Sequence, residues 1–234
     1  PKERTEPIML AEVDGQTVAE HLGLAVQLKT IANQDQSKID PKPFEDLHRL
    51  LKNTYPEVHT HLKREVINKY SLLYTWLGTN PELDPIMLTS HMDVVPAEEG
   101  EDSGWTHPPF SGVIEDGFVW GRGTLDTKGL GVMFLLALES LLQEGVRFRR
   151  PLVFTAVPDE EPGGENGMRW LVENYLKKID PEWVWDEGSG GVKDVFGQGI
   201  MFAIAVAEKT VYQVKLTAKG DPGHGSMPHL TDPY

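Results

Sequence analysis

The stretch that most constrains the fold is Leu152 to Val157, a continuous, largely apolar run that ends abruptly at Pro158-Asp159-Glu160-Glu161-Pro162-Gly163-Gly164. A strand without a polar face must be covered on both sides, as inside a parallel sheet. Just before it, Leu130 to Leu142 is nearly all apolar and rich in helix formers, which predicts a buried helix. Ile86 to His91 and Trp183 to Trp185 read as further short strands. This alternation of helix and strand predicts an α/β fold, a mostly parallel sheet flanked by helices on both faces.

The remaining segments fit the same scheme. Thr17 to Ile31, Phe44 to Tyr55 and Gly167 to Leu176 carry helical apolar stripes. Val58 to Ile67 and Ser71 to Leu77 alternate in part, which predicts strands. Asp116-Gly117 between Val113-Ile114 and Phe118-Val119-Trp120 predicts a hairpin. Ile200 to Val206 is another apolar strand. From Val211 the texture changes to strict alternation, an antiparallel strand with a wet face. Residues 1–209 are therefore expected to form one domain, and residues 210–234 the beginning of a second, smaller one.

Composition narrows the chemistry. With 22 basic and 36 acidic residues the net charge is -14, which argues against nucleic acid or an anionic membrane as partner. Cysteine is absent, so thiol nucleophiles, disulfides and thiolate-bound zinc are excluded together. No apolar run is long enough to span a bilayer and no signal peptide is visible. The expectation is a soluble protein, with the cytoplasm favoured over secretion. The sequence starts at Pro1 rather than Met, as expected of a trimmed start.

Four acidic or histidine clusters fall just past strands or at loop-to-helix junctions: His91/Asp93, Asp126, Glu160/Glu161 and Asp186/Glu187. Ligands of open α/β sheets gather at the carboxyl ends of the strands. Each cluster alone has a plain explanation: a surface histidine beside a solvated acid, a helix N-cap at Asp126, a charged loop. Four at one topological place point to a shared site. In extended chain His91 and Asp93 share a face, which suits a metal-binding imidazole and the carboxylate that orients it. Glu160 and Glu161, if extended, face opposite ways, so one could bind metal while the other reaches a water. Imidazole and carboxylate donors suit zinc, cobalt or manganese. If Asp126 bridged two ions, it would leave them incompletely neutralised together with Glu161 and one acid at 186 or 187. A shared water would then be acidic enough for Glu160 to deprotonate.

His91-Met92-Asp93-Val94-Val95-Pro96, Gly121-Arg122-Gly123-Thr124-Leu125-Asp126-Thr127-Lys128-Gly129, Asp159-Glu160-Glu161-Pro162-Gly163-Gly164 and Gly223-His224-Gly225-Ser226-Met227-Pro228 together resemble the M20 metallopeptidase family. Trp105, Pro108-Pro109-Phe110-Ser111-Gly112 and Asp186-Glu187-Gly188 are similar to the branch of carboxypeptidase S, the N-acyl amino acid hydrolases and aminoacylase. The resemblance implies a zinc-exopeptidase fold and a di-zinc hydrolase, with residues 1–209 as the catalytic, metal-binding domain and residues 210–234 as the beginning of a smaller α+β lid domain. Its substrate would be a peptide or an N-acyl amino acid, cut at an amide bond beside a free carboxylate. It implies that His91 binds one zinc and that Asp93 orients His91. On the same resemblance Asp126 would bridge both ions and be followed by a cis peptide to Thr127. Glu160 would be the general base and acid, and Glu161 would bind the second zinc. Either Asp186 or Glu187 would complete the first site. His224, on the lid, would help hold the scissile carbonyl oxygen or the substrate carboxylate, with a possible homodimer through the lids.

The family pattern continues well past Tyr234 to a final histidine ligand, and His229 is too near His224 to replace it. The chain is thus expected to be an N-terminal portion, with a sheet edge left open. The rival readings are a metal-binding relative without turnover and a phosphoesterase, the latter weakened by the lack of a basic cluster beyond Arg122 and Lys128.

Overall fold

The computed structural model describes residues 13–188, 191–194, 197, 199–202 and 214–217. They fall in two compact units, one running to Glu187 and one starting at Gly188.

The first unit is built on a five-stranded sheet in the order β1-β2-β6-β3-β7, formed by β1 (Lys63–Ile67), β2 (Ser71–Trp76), β3 (Ile86–His91), β6 (Leu152–Val157) and β7 (Trp183–Trp185). The predicted α/β architecture is present. β6 pairs in parallel with β3, and β3 with β7, while β2 joins β6 antiparallel and β1 follows β2 antiparallel. A separate hairpin joins β4 (Val113–Glu115) to β5 (Phe118–Trp120). Asp116 and Gly117 both take positive φ, 53° and 79°, the turn that an Asp-Gly pair favours.

Every residue of β6 is buried, as its uninterrupted apolar run requires. Alternate residues serve opposite faces. Leu152, Phe154 and Ala156 join Leu72, Tyr74, Trp76 and Leu88 in a core with α1 (Gly15–Val26), α2 (Pro41–Thr54), α3 (Pro56–His61) and α4 (Lys128–Gln143). Val153 and Val157 join Leu73 and Met87 on the other face, under Leu171 and Ile179 of α5 (Met168–Ile179). β7 lies at the sheet edge, with Trp183 and Trp185 about two-thirds exposed (66% and 65%).

Two expectations are corrected. Residues 58–61, predicted as strand, are helical: Pro56 sits in the first turn of α3, where its missing N–H costs nothing. Buried Glu139 of α4 also accepts from the backbone N–H groups of Glu57 and Val58 at 3.0 and 2.9 Å. That cap lies some 80 positions away and is invisible to local pattern. The first helix, predicted to Ile31, stops at Val26. Thr30 then donates its hydroxyl to the Met92 carbonyl at 2.5 Å, its own carbonyl accepts from Val94 N–H at 3.0 Å, and Ile31 bridges to Val94. Pairing beside the end of β3 outweighs the continued helical periodicity.

In the second unit, β8 (Gly191–Lys193) pairs antiparallel with β9 (Ile200–Phe202). β8 was not expected. β9 is the described beginning of the predicted strand Ile200 to Val206, whose remainder lies outside the described residues. Among the described residues no helix is long and apolar enough to cross a membrane.

Candidate metal centre

β3 and β6 run side by side with His91 in register with Val157. Their carboxyl ends therefore deliver His91-Met92-Asp93 and Pro158-Asp159-Glu160-Glu161 to one place. His91 is buried at 3% exposure. Its Nδ1 lies 2.9 Å from the Asp93 carbonyl oxygen, so Nδ1–H donates there and Nε2 is presented to the site. Asp126 Oδ1 lies 2.8 Å from Nε2, Glu187 Oε2 3.6 Å and Glu160 Oε2 4.0 Å.

Asp126 comes from the loop ahead of α4. Its peptide bond to Thr127 is cis. Its carboxylate does not cap α4, whose N-cap is Thr127 without a side-chain cap bond. It turns to His91 instead. The chain can fold tightly here because Gly123 has φ 88° and a Cβ at that position would sit 2.7 Å from Val94.

Glu160 and Glu161 lie in a turn rather than in extended chain. Gly163 N–H donates to the Glu160 carbonyl at 2.8 Å and Gly164 N–H to the Asp159 carbonyl at 2.6 Å. The expected opposition of their side chains is therefore absent, because the Pro-Gly-Gly sequence closes the turn and both carboxylates face the His91 end of the sheet. The donor atoms of His91, Asp126 and Glu161 lie within 4.8 Å of one another, as do those of His91, Glu160 and Glu187.

Of the adjacent acids after β7, Glu187 reaches His91, whereas Asp186 Oδ1 accepts from the Glu187 backbone N–H at 2.8 Å. Asp93 is fully buried, and its carboxylate lies 3.4 Å from His91 Nδ1. The closer contact to the ring is the Asp93 carbonyl. His224 lies outside the described residues.

Electrostatics follow from this crowding. Burial alone would disfavour a charged His91, but Asp93, Glu187 and Asp126 outweigh it and raise its pKa to about 10. Glu160 is pushed above the usual carboxylate range by burial and by Asp93, Glu161 and Asp126, against the pull of His91. Glu161 and Glu187 are raised chiefly by burial as well. One imidazole among several carboxylates, with no thiolate, is a donor set for a divalent cation of the zinc type.

Two supporting residues escaped the sequence reading. Lys128 is buried, and its Nζ donates to the carbonyls of Ala25 and Leu28 at 3.0 and 2.6 Å, anchoring the end of α1 to the start of α4. A lysine opening an otherwise apolar helix was the available signal. Asp159 is buried, and its Oδ2 accepts from Asn166 N at 2.7 Å and Nδ2 at 3.2 Å, bracing the turn from behind.

Comparison with known proteins identifies the family. Residues 87–230 match the sequence profile of Peptidase family M20/M25/M40. The chain is 38% identical over 219 residues to a probable carboxypeptidase S-like 2 of Dictyostelium discoideum, covering 90% of this chain and 42% of that protein. It is 38% identical over 212 residues to an N-fatty-acyl-amino acid synthase/hydrolase of Danio rerio, covering 88% and 40%. The chain thus spans less than half the length of these relatives. Among solved structures, its fold is similar to an M20 family metallo-carboxypeptidase from Sulfolobus solfataricus, with a TM-score of 0.59 at 19% identity, covering 74% of this chain and 37% of that one.

Proposed function

The chain belongs to peptidase family M20/M25/M40, and on that premise we propose that it is the metal-binding part of a di-zinc hydrolase. The substrate is a small peptide or an N-acyl amino acid, cut at the amide bond beside a free carboxylate. The relatives named as carboxypeptidase and N-fatty-acyl-amino acid hydrolase support this class. The observation that carries the reading is the approach of Asp126, Glu187 and Glu160 to His91 Nε2, at 2.8, 3.6 and 4.0 Å, from separate segments of the chain.

His91, Asp126, Glu161 and Glu187 would hold the ions, zinc first and cobalt or manganese as substitutes. When bound, they would polarise the scissile carbonyl and make a water nucleophilic near neutral pH. Donation of Nδ1–H to the Asp93 carbonyl fixes the His91 tautomer that leaves Nε2 as ligand. Glu160 takes the proton of the attacking water and returns it to the leaving nitrogen, and its raised pKa suits that exchange. His224, in a lid domain beginning with residues 210–234, holds the carbonyl oxygen or the substrate carboxylate. A homodimer through the lids fits this arrangement. The catalytic domain on this reading is residues 1–209.

The test uses the full-length protein. Metal analysis and product release from N-acyl amino acids and dipeptides are measured for wild type and Glu160→Gln. The expected result is bound zinc in both and a kcat lower by about 10²–10⁴-fold in the variant, the usual share of a general base. A protein that holds metal yet releases no product from either substrate class is the non-turnover relative instead.

A further inference from the structure

Asp93 has no exposed surface, and its carboxylate is engaged at both oxygens. Oδ1 accepts from Glu160 N–H at 3.1 Å and Oδ2 from Glu161 N–H at 3.0 Å. The closest contact of the His91 ring with this residue is to a different atom, the backbone carbonyl at 2.9 Å, with Oδ1 farther off at 3.4 Å. A mutation of the side chain leaves that carbonyl in place. We propose that the Asp93 carboxylate is a positioning group for the Glu160–Glu161 turn, strapping it to the end of β3, and that the nearer backbone carbonyl fixes the His91 tautomer although the carboxylate, 3.4 Å from Nδ1, also faces the ring.

The chemistry of the strap is specific. Two successive N–H groups of a turn form a concave pair of donors, and an ionised carboxylate matches them with one oxygen each. An amide in its place has a single acceptor and turns its NH2 toward the second donor. Asp93→Asn therefore fills the same volume but loses half the strap and sets donor against donor, leaving a buried N–H without a partner. The two glutamates, which differ in proposed role, would then drift together. The catalytic consequence rests on the hydrolase reading, but the strap itself does not.

The experiment is residue-resolved hydrogen exchange on the full-length protein, with ¹⁵N spectroscopy of the histidine rings. In wild type, the Glu160 and Glu161 amides are expected to exchange about as slowly as those of β6, although they lie in a turn. In Asp93→Asn, these two amides are expected to exchange about tenfold faster or more, as for loss of a charge-assisted hydrogen bond. The β6 amides should remain protected and the His91 ring should keep its Nδ1–H signature. Turnover should fall in kcat with little change in KM. Unchanged protection of Glu160 and Glu161 in the variant, or a scrambled His91 tautomer, overturns the proposal. If Asp93→Asn does not fold, the wild-type measurement decides: freely exchanging Glu160 and Glu161 amides refute the strap. Absence of hydrolytic activity in wild type would count against the hydrolase alone and leave the exchange result standing.

Discussion

At the scale of single residues, His91 shows how position overrides composition. Acidic side chains are abundant in this chain, so no one Asp or Glu is informative by type. What singles out Asp126 and Glu187 is their distance to one imidazole nitrogen, 2.8 and 3.6 Å. Between the neighbours Asp186 and Glu187, the longer side chain reaches inward. Replacing Glu187 by Gln should weaken zinc binding by at least about tenfold, whereas Asp186→Asn should weaken it less. Competition with a chromophoric chelator measures both, and the reverse order would exchange the two roles. The meeting of these residues was legible in sequence because HxD, the isolated Asp126 and the Glu-Glu pair each fall at the end of a strand or beside a glycine turn. The choice between 186 and 187 was not, because β7 is too short and too exposed for its pattern to fix which side chain faces the site. The bonding of Asp93 to the Glu160–Glu161 amides was hidden for another reason: it joins loops 67 and 68 positions apart.

At the scale of elements, β6 and β3 were legible because burial on both faces leaves a strong apolar signature, and α4 because its apolar residues are good helix formers, although Met133 is half exposed. α3 was not, because its start depends on a group from elsewhere. Glu139 accepts from two N–H groups at the helix N-terminus, which the helix itself cannot satisfy. Glu139→Leu should leave both without partners in a buried place and destabilise the protein by about 2–3 kcal/mol. Urea unfolding at neutral pH measures this, and a loss well under 1 kcal/mol would mean that water replaces the carboxylate. The early end of α1 has the same origin. Lys128 draws the carbonyls of Ala25 and Leu28 to itself, and Thr30 turns to Met92.

At the scale of the whole molecule, pH should act on stability through a half-buried histidine away from the metal centre, His48. His48 donates Nε2–H to the Tyr70 carbonyl at 2.9 Å. Burial, assisted by the nearby Arg64 charge, lowers its pKa from 6.5 to about 4. The unfolded chain therefore takes up this proton first as pH falls. Stability is full above pH 6.5, declines between 6.5 and about 4, and levels off below. His48→Gln, which keeps an N–H donor, should remove that part of the decline. Unfolding free energies of both proteins from pH 7.5 to 4 give the comparison, and a difference that stays constant with pH would contradict the assignment.

The pairing of His91 with Val157 fixes how far each strand protrudes beyond the other. A slip of a single residue would turn every β6 side chain to the wrong layer, and a slip of two would carry the glutamates about 7 Å along the strand, out of reach of the imidazole. The core side chains that lock this alignment thus work as a gauge for chemistry that they never touch. An ion seated among His91, Asp126, Glu161 and Glu187 would in turn rivet that alignment shut.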